Sequence, residues 1–143
     1  MAIDQNILVT VDTLVFRITD EENYEVLLIE RKNDPFKGQW ALPGGFVEDE
    51  EDLPTAAIRE LEEETGIGDL VDFEQYKSYG KPGRDPRGRT VTCVFYGFLS
   101  DEAPEENAGS DAADAKWFSI YQLPELAFDH ALILSDVKEH LGL

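Results

Sequence analysis

The chain has 143 residues, 42% hydrophobic and 10% aromatic, with a formal net charge of -19. That length and apolar share suit one compact domain over residues 1–143 and exclude global disorder. A surface this acidic repels the phosphates of long nucleic acids and anionic membranes, so neither is expected as a partner.

Nothing approaches the ~20 consecutive apolar residues of a membrane span. Met1 to Gln5 lacks the basic-then-apolar pattern of a signal peptide. Cys93 is the sole cysteine, so no internal disulfide forms, and Val91, Val94 and Phe95 around it predict a buried strand thiol. A cytoplasmic setting fits.

In chain order, Ile7 to Phe16 is rich in Val, Leu, Ile and Thr and predicts a strand. Thr19 to Asn23 is a polar turn, and Tyr24 to Ile29 a second strand, so the two form a hairpin. Asp34 to Gly38 is a loop. Trp40-Ala41-Leu42 is short and apolar, and Pro43-Gly44-Gly45 breaks it. Leu53 to Thr65 predicts a helix, with Asp52 to cap it, Pro54 in its first turn, acidic residues at its start and Gly66 to end it. Ile58 and Leu61 are its apolar sector. Phe73 to Tyr79 and Thr90 to Leu99 predict strands around a Gly, Pro and Arg loop.

Asp101 to Asp114 is acidic and rich in small residues, a mobile loop, and Lys116-Trp117-Phe118 a short strand. Asp129 to Leu141 predicts a second helix with Ala131, Leu132, Leu134, Val137 and Leu141 as its apolar face. The fold class that follows is α/β (α+β), a mixed sheet flanked by helices.

The chemistry concentrates on the first helix. Glu60 and Glu64 share one helix face, with Glu63 one step round. Like charges at these spacings destabilise a bare helix by a few tenths of a kcal/mol per pair. A cation between them reverses that sign, and oxygen ligands suit Mg²⁺ or Mn²⁺. A solvated acidic face has the same pattern, with 31 Asp and Glu in the chain. Gly44 and Gly45 let backbone approach just before the helix, and a carbonyl there could complete a metal site.

Gly45, Glu51, Arg59, Glu60, Leu61, Glu63, Glu64, Gly66 and Ile67 match G-x5-E-x7-R-E-U-x-E-E-x-G-U without departure, nine specified positions over 23 residues. This box, 45–67, resembles that of the Nudix hydrolases, and the elements around it resemble theirs across nearly the whole chain. The resemblance implies an α/β/α sandwich with a mixed central sheet and a divalent metal, Mg²⁺ or Mn²⁺. It implies Glu60, Glu64 and the Gly44 carbonyl as metal ligands. It gives Glu63 as a further ligand or as a group that activates water, and Arg59 with Glu51 as the pair that holds the loop and orients the glutamates. His130 and His140 lie far from the box in sequence and are read as non-catalytic.

Lys81, Arg84, Arg87 and Arg89 place four of the twelve basic residues within nine positions, a phosphate-binding pattern or a solubilising turn. The Arg84-Asp85-Pro86-Arg87-Gly88 run resembles ADP-ribose pyrophosphatase-like Nudix proteins. So does Arg31-Lys32 followed by Pro35-Phe36-Lys37-Gly38 and Trp40 to Gly45.

That resemblance implies ADP-ribose, cut to AMP and ribose 5-phosphate, with Arg31, Arg84 and Arg87 on phosphate and Phe36 or Trp40 stacking on base or ribose unless they are core. Another nucleotide substrate (a modified triphosphate, dinucleotide or sugar nucleotide) and a non-catalytic ADP-ribose sensor are the alternatives. A sensor of that kind carries a DNA-binding domain, for which no room is expected after the second helix. A further acid from Glu102, Glu105, Glu106, Asp111 or Asp114 is expected as base or ligand. Related enzymes often pair to complete the base site, so a homodimer is part of the expectation.

Overall fold

The computed structural model describes residues 3–19, 23–99 and 112–143, with the backbone alone at 112 and 113. In chain order the strands are β1 (Leu8–Ile18), β2 (Tyr24–Arg31), β3 (Trp40–Ala41), β4 (Gly44–Phe46), β5 (Glu74–Tyr79), β6 (Thr90–Phe98) and β7 (Ala112–Ser119). Helix α1 (Leu53–Thr65) follows β4, and α2 (His130–Leu141) follows β7. All seven strands form one mixed sheet, in which β1 and β6 run parallel and every other pair is antiparallel.

The period-two alternation of the strands sorts their side chains to two faces. Val11, Val15, Leu27, Ile29, Cys93 and Phe95 pack with Ala56, Ala57 and Leu61 of α1. Leu14, Phe16, Val26, Leu28, Val94 and Tyr96 pack with Ile133, Leu134 and Val137 of α2. The result is the expected α/β/α sandwich, and Cys93 is the expected buried thiol.

One detail of pairing creates the site. The hairpin of β1 and β2 holds only at Phe16, Arg17 and Ile18 against Val26, Glu25 and Tyr24. Towards its start β1 pairs instead with β4, Thr10 to Phe46 and Asp12 to Gly44, while β2 turns to β3 at Ile29 and Glu30. The two strands part, and the segment Leu42 to Gly45 fills the opening. Thr13 fastens it there, its N–H and its hydroxyl both donating to the Pro43 carbonyl, at 2.8 and 3.0 Å.

Helix α1 begins and ends as expected. The Asp52 carboxylate accepts from the Leu53 N–H at 2.8 Å, and Gly66 closes the helix in the left-handed region at φ 78°. That conformation is cheap only for glycine.

Several expectations need correction. Acidic residues precede α1 but none lies in its first turn. Ile58 points to solvent, and the buried face of α1 is Ala56, Ala57, Glu60, Leu61, Glu64 and Thr65. Strand β7 is not confined to Lys116 to Phe118. It already begins at Ala112, because its backbone pairs with β2 from Arg31 back to Glu25. On α2 the buried side chains are His130, Ile133, Leu134 and Val137, while Ala131 is exposed and Leu132 is 55% exposed. Four consecutive apolar residues, Ala131 to Leu134, leave the helical phase undecided locally, and contact with Leu14, Phe16 and Val94 decides it. No helix among the described residues is long and apolar enough to cross a membrane.

Candidate active site

The opening between β1 and β2 is the floor of a cleft. Its outer part, about 550 Å³, is bounded by α1 (Arg59, Glu60, Glu63, Glu64), the Gly44–Phe46 strand and Arg31 and Arg87 opposite. Its inner part is a chamber of about 90 Å³ where Asp12, Arg84, Asp85, Phe128 and His130 converge.

Helix α1 presents its carboxylates from one buried face. Glu64 is 2% exposed, and one of its oxygens, Oε1, accepts the Gly44 N–H at 3.1 Å. Its other oxygen, Oε2, is buried with no hydrogen-bond partner among the described residues. Burial pushes the Glu64 carboxyl well above the usual carboxylate range, and the neighbouring Glu60 adds to the shift. Burial raises Glu60 too, partly held back by Arg59. No side chain fits between strand and helix, since a Cβ on Gly45 would stand 2.5 Å from Glu60 Oε1. A Cβ on Gly44 would stand 2.1 Å from the Val11 carbonyl oxygen. Both positions need glycine for close approach.

Arg59 ties this face together. Its Nη2 donates to Glu51 Oε1 at 2.8 Å and to the Phe46 carbonyl at 3.1 Å, while Nη1 reaches Glu60 Oε1 at 3.0 Å and Glu63 at 3.3 Å. Glu51 in turn accepts the Glu48 N–H at 3.1 Å. Arg59 and Glu51 are thus where loop and helix join. The bond to Arg59 holds the Glu51 carboxyl below its usual range and raises the Arg59 guanidinium above its own.

The residues fit a hard divalent cation. The unpartnered buried oxygen of Glu64, the Glu60 carboxylate beside it and the adjacent Gly44 backbone form an all-oxygen donor set that is electrostatically costly unless a positive charge joins it. Among the described residues no three Asp, Glu, His or Cys side chains already surround one point, because Glu63 leans on Arg59 instead.

The basic residues expected on phosphate divide into two kinds. Arg84 is bidentate to Asp129, at 2.6 and 2.9 Å, with its side chain 4% exposed. Arg87 is bidentate to Asp85, at 2.8 and 3.1 Å, and lies over the rings of Phe46 and Phe128. Both are occupied as structural pairs. Arg31 differs. Its donors reach only the carbonyls of Pro35 and Asn33, it lies 5.0 Å from the centre of the Phe128 ring, and among the described ion pairs it takes part in none. Burial and the nearby Arg87 lower its pKa, and Asp85, Glu64 and Asp12 offset part of that.

Phe36 packs edge-on against Phe128, their ring centres 4.7 Å apart. Trp40 packs edge-on against Phe118 in the α2-side core, away from the cleft. Arg89 donates to the Gly80 carbonyl and braces its loop. Asp114 stands exposed in β7 opposite Glu30, its carboxylate taken by the Ala115 N–H, and is not among the cleft-lining residues. Glu102, Glu105, Glu106 and Asp111 lie outside the described residues.

Sequence reasoning missed the inner chamber. Asp12 is buried in the middle of β1, where its Oδ2 accepts the Thr92 hydroxyl at 2.6 Å. His130, distant from the box in sequence, lies beside it. The Leu42 N–H donates to His130 Nδ1 at 3.0 Å, so Nδ1 is unprotonated and Nε2 faces Asp12 Oδ1 at 3.4 Å. Phe128 holds a left-handed backbone at φ 54°, a strained state for a bulky residue that recurs at functional sites. One signal was available: an Asp inside an otherwise apolar strand is unusual and asks for a reason.

A mixed sheet lies between two helices, with three glutamates and an arginine of one helix beside a double glycine. The chain belongs to the Nudix family, whose NUDIX domain model matches residues 9–137. It is similar to the ADP-ribose pyrophosphatase of Methanocaldococcus jannaschii, 46% identical over 120 residues that cover 81% of this chain and 67% of that protein. It is 40% identical to the ADPR responsive transcriptional repressor NtrR of Acinetobacter baylyi over 94% of this chain and 54% of that one. The chain therefore spans between about half and two thirds of these relatives' lengths. The NUDIX domain of Shewanella oneidensis NrtR, solved with ADP ribose, superposes with a TM-score of 0.88 at 32% identity, covering 96% of this chain and 90% of that one.

Proposed function

We propose that this chain hydrolyses the diphosphate bond of a nucleoside diphosphate derivative, with ADP-ribose the leading substrate and AMP and ribose 5-phosphate the products. The observation that carries the reading is the meeting of two unmet charges across one cleft. Among the described residues a buried carboxylate on α1 has an unpartnered oxygen, and Arg31 opposite is in no ion pair.

A divalent cation held by Glu60, Glu64 and the Gly44 carbonyl would neutralise phosphate charge and acidify a bound water. Arg31 binds a phosphate oxygen from the other wall, by charge and by its forked donors. Glu63, half exposed at the lip, takes the proton of the attacking water on its carboxylate once that oxygen leaves Arg59. Water oxygen bonds to one phosphorus, the bridging P–O bond breaks, and both halves depart as phosphomonoesters. Arg59 and Glu51 keep the glycine loop and α1 in register throughout.

Incubation with ADP-ribose and Mg²⁺ or Mn²⁺, with products identified by chromatography, tests this. AMP and ribose 5-phosphate in equal amounts are expected, and activity that survives excess chelator sinks the reading. The 40% identity to an ADPR responsive repressor favours one second reading, a sensor. Tight ADP-ribose binding with no turnover under either metal would establish it. A homodimer in the cytoplasm belongs to the same proposal.

A further inference from the structure

The chamber behind the glycine loop differs chemically from the mouth of the cleft. Arg31 borders both, while Glu60, Glu63 and Glu64 line the mouth and not the chamber. Inside, Arg84 and Arg87 are each closed off by a bidentate carboxylate, Asp129 and Asp85. Asp12 is the remaining acid of the chamber, and no guanidinium pairs with it among the described residues. Thr92 donates to its Oδ2, and His130 Nε2 makes one long contact to Oδ1 at 3.4 Å. A carboxylate accepts about four hydrogen bonds, so Asp12 has acceptor capacity to spare, facing a cavity.

Its fixed setting argues for recognition over accident. Thr92 from β6 and His130 from α2 hold the side chain in place, and the Leu42 N–H fixes the imidazole. At about 90 Å³ the chamber has room for roughly three waters, or for the hydroxyls of a sugar, but not for a stacked purine. The spare acceptor on Asp12 suits O–H donors.

We propose that Asp12 is a substrate-binding residue whose Oδ1 accepts hydrogen bonds from the hydroxyls of the sugar beyond the diphosphate, so that the site favours a diphosphate-linked polyol over a diphosphate that lacks one. This rests on the diphosphate reading above and names the group on its far side.

A four-cornered comparison tests it. Wild type and Asp12→Asn are assayed on ADP-ribose and on the methyl ester of ADP, which keeps the diphosphate and lacks the sugar. Removing a charged acceptor should lower kcat/KM for ADP-ribose by roughly tenfold or more, chiefly through KM, and change the methyl ester by less than about twofold. Equal losses on both would mean a purely structural role and overturn the proposal. If Asp12→Asn does not melt cooperatively, calorimetric binding to wild type decides: ADP-ribose should bind at least about tenfold more tightly than the methyl ester, and equal affinities overturn it. Wild type that cleaves neither compound but shows that binding preference would remove the hydrolase reading and leave Asp12 as a sugar-recognition group.

Discussion

Replacing Glu64 by Gln keeps the shape of the side chain and removes its charge, and the structure predicts opposite effects on stability and on function. In the metal-free chain Glu64 is buried beside Glu60 with one oxygen unpartnered. An unsatisfied buried polar atom costs about 1–3 kcal/mol, so the amide, able to donate towards Glu60, should stabilise the metal-free protein by about 1 kcal/mol. For a chain of this size that is a rise of roughly 3–4 °C in Tm.

The pH dependence has a definite sign. The folded carboxyl is raised above its ordinary 4.5, so its contribution to stability is complete below that value and is lost as pH climbs through the folded value. The gap between variant and wild type should therefore widen from about pH 4.5 upward. Metal reverses the order, since a cation at 100 times its dissociation constant stabilises wild type by about 2.7 kcal/mol. The variant, lacking a ligand, should gain little, and its hydrolysis should fall by roughly 100-fold or more. Thermal melts across pH, with and without Mn²⁺, read all of this. A variant that is less stable than metal-free wild type at about pH 8, or that keeps the full metal-induced shift, would refute the reasoning.

Three further outcomes follow from individual contacts. Arg31→Ala should raise KM for a diphosphate substrate roughly 10- to 100-fold, and Arg31→Lys should recover only part of it, since the ammonium cannot reproduce the guanidinium fork; steady-state kinetics check this. Arg84→Ala leaves Asp129 without its guanidinium partner and should cost about 2–4 kcal/mol in urea unfolding, far more than a surface ion pair. Leu132→Ser should change stability by less than about 0.5 kcal/mol, while Ile133→Ala should cost about 2–4 kcal/mol, the reverse of what the sequence alone suggests for α2.

What could be read from sequence was whatever short-range geometry controls. The spacing of Glu60, Glu63 and Glu64, the Asp52 cap and the Gly66 stop all act within a few turns of one helix, and α1 has the predicted bounds. The Arg59–Glu51 link was legible only through the resemblance to the Nudix box, and the two side chains are joined in the structure. The inner chamber was not. Leu42 and His130 are 88 positions apart, Thr92 and Asp12 are 80, and no local pattern announces either contact.

The Arg-rich loop shows a different limit. Arg84 and Arg87 look free for phosphate in sequence, but Asp129 and Asp85 claim them, one through long-range packing and the other from two residues away. Arg31, a less conspicuous residue at the end of β2, faces the cleft with Lys32 beside it, and neither has an ion pair among the described residues. The outermost turn of β7 was hidden because small and acidic residues predict a loop, and pairing with β2 overrides that propensity.

The central claim is that Glu60, Glu64 and the Gly44 carbonyl gather a divalent cation at the mouth of the cleft. Anomalous diffraction from crystals grown with Mn²⁺ and a non-hydrolysable ADP-ribose analogue measures this directly. The account predicts a manganese peak within about 2.2 Å of oxygens from Glu60 and Glu64, with the diphosphate between it and Arg31. A well-ordered analogue in the cleft with no peak there would contradict it.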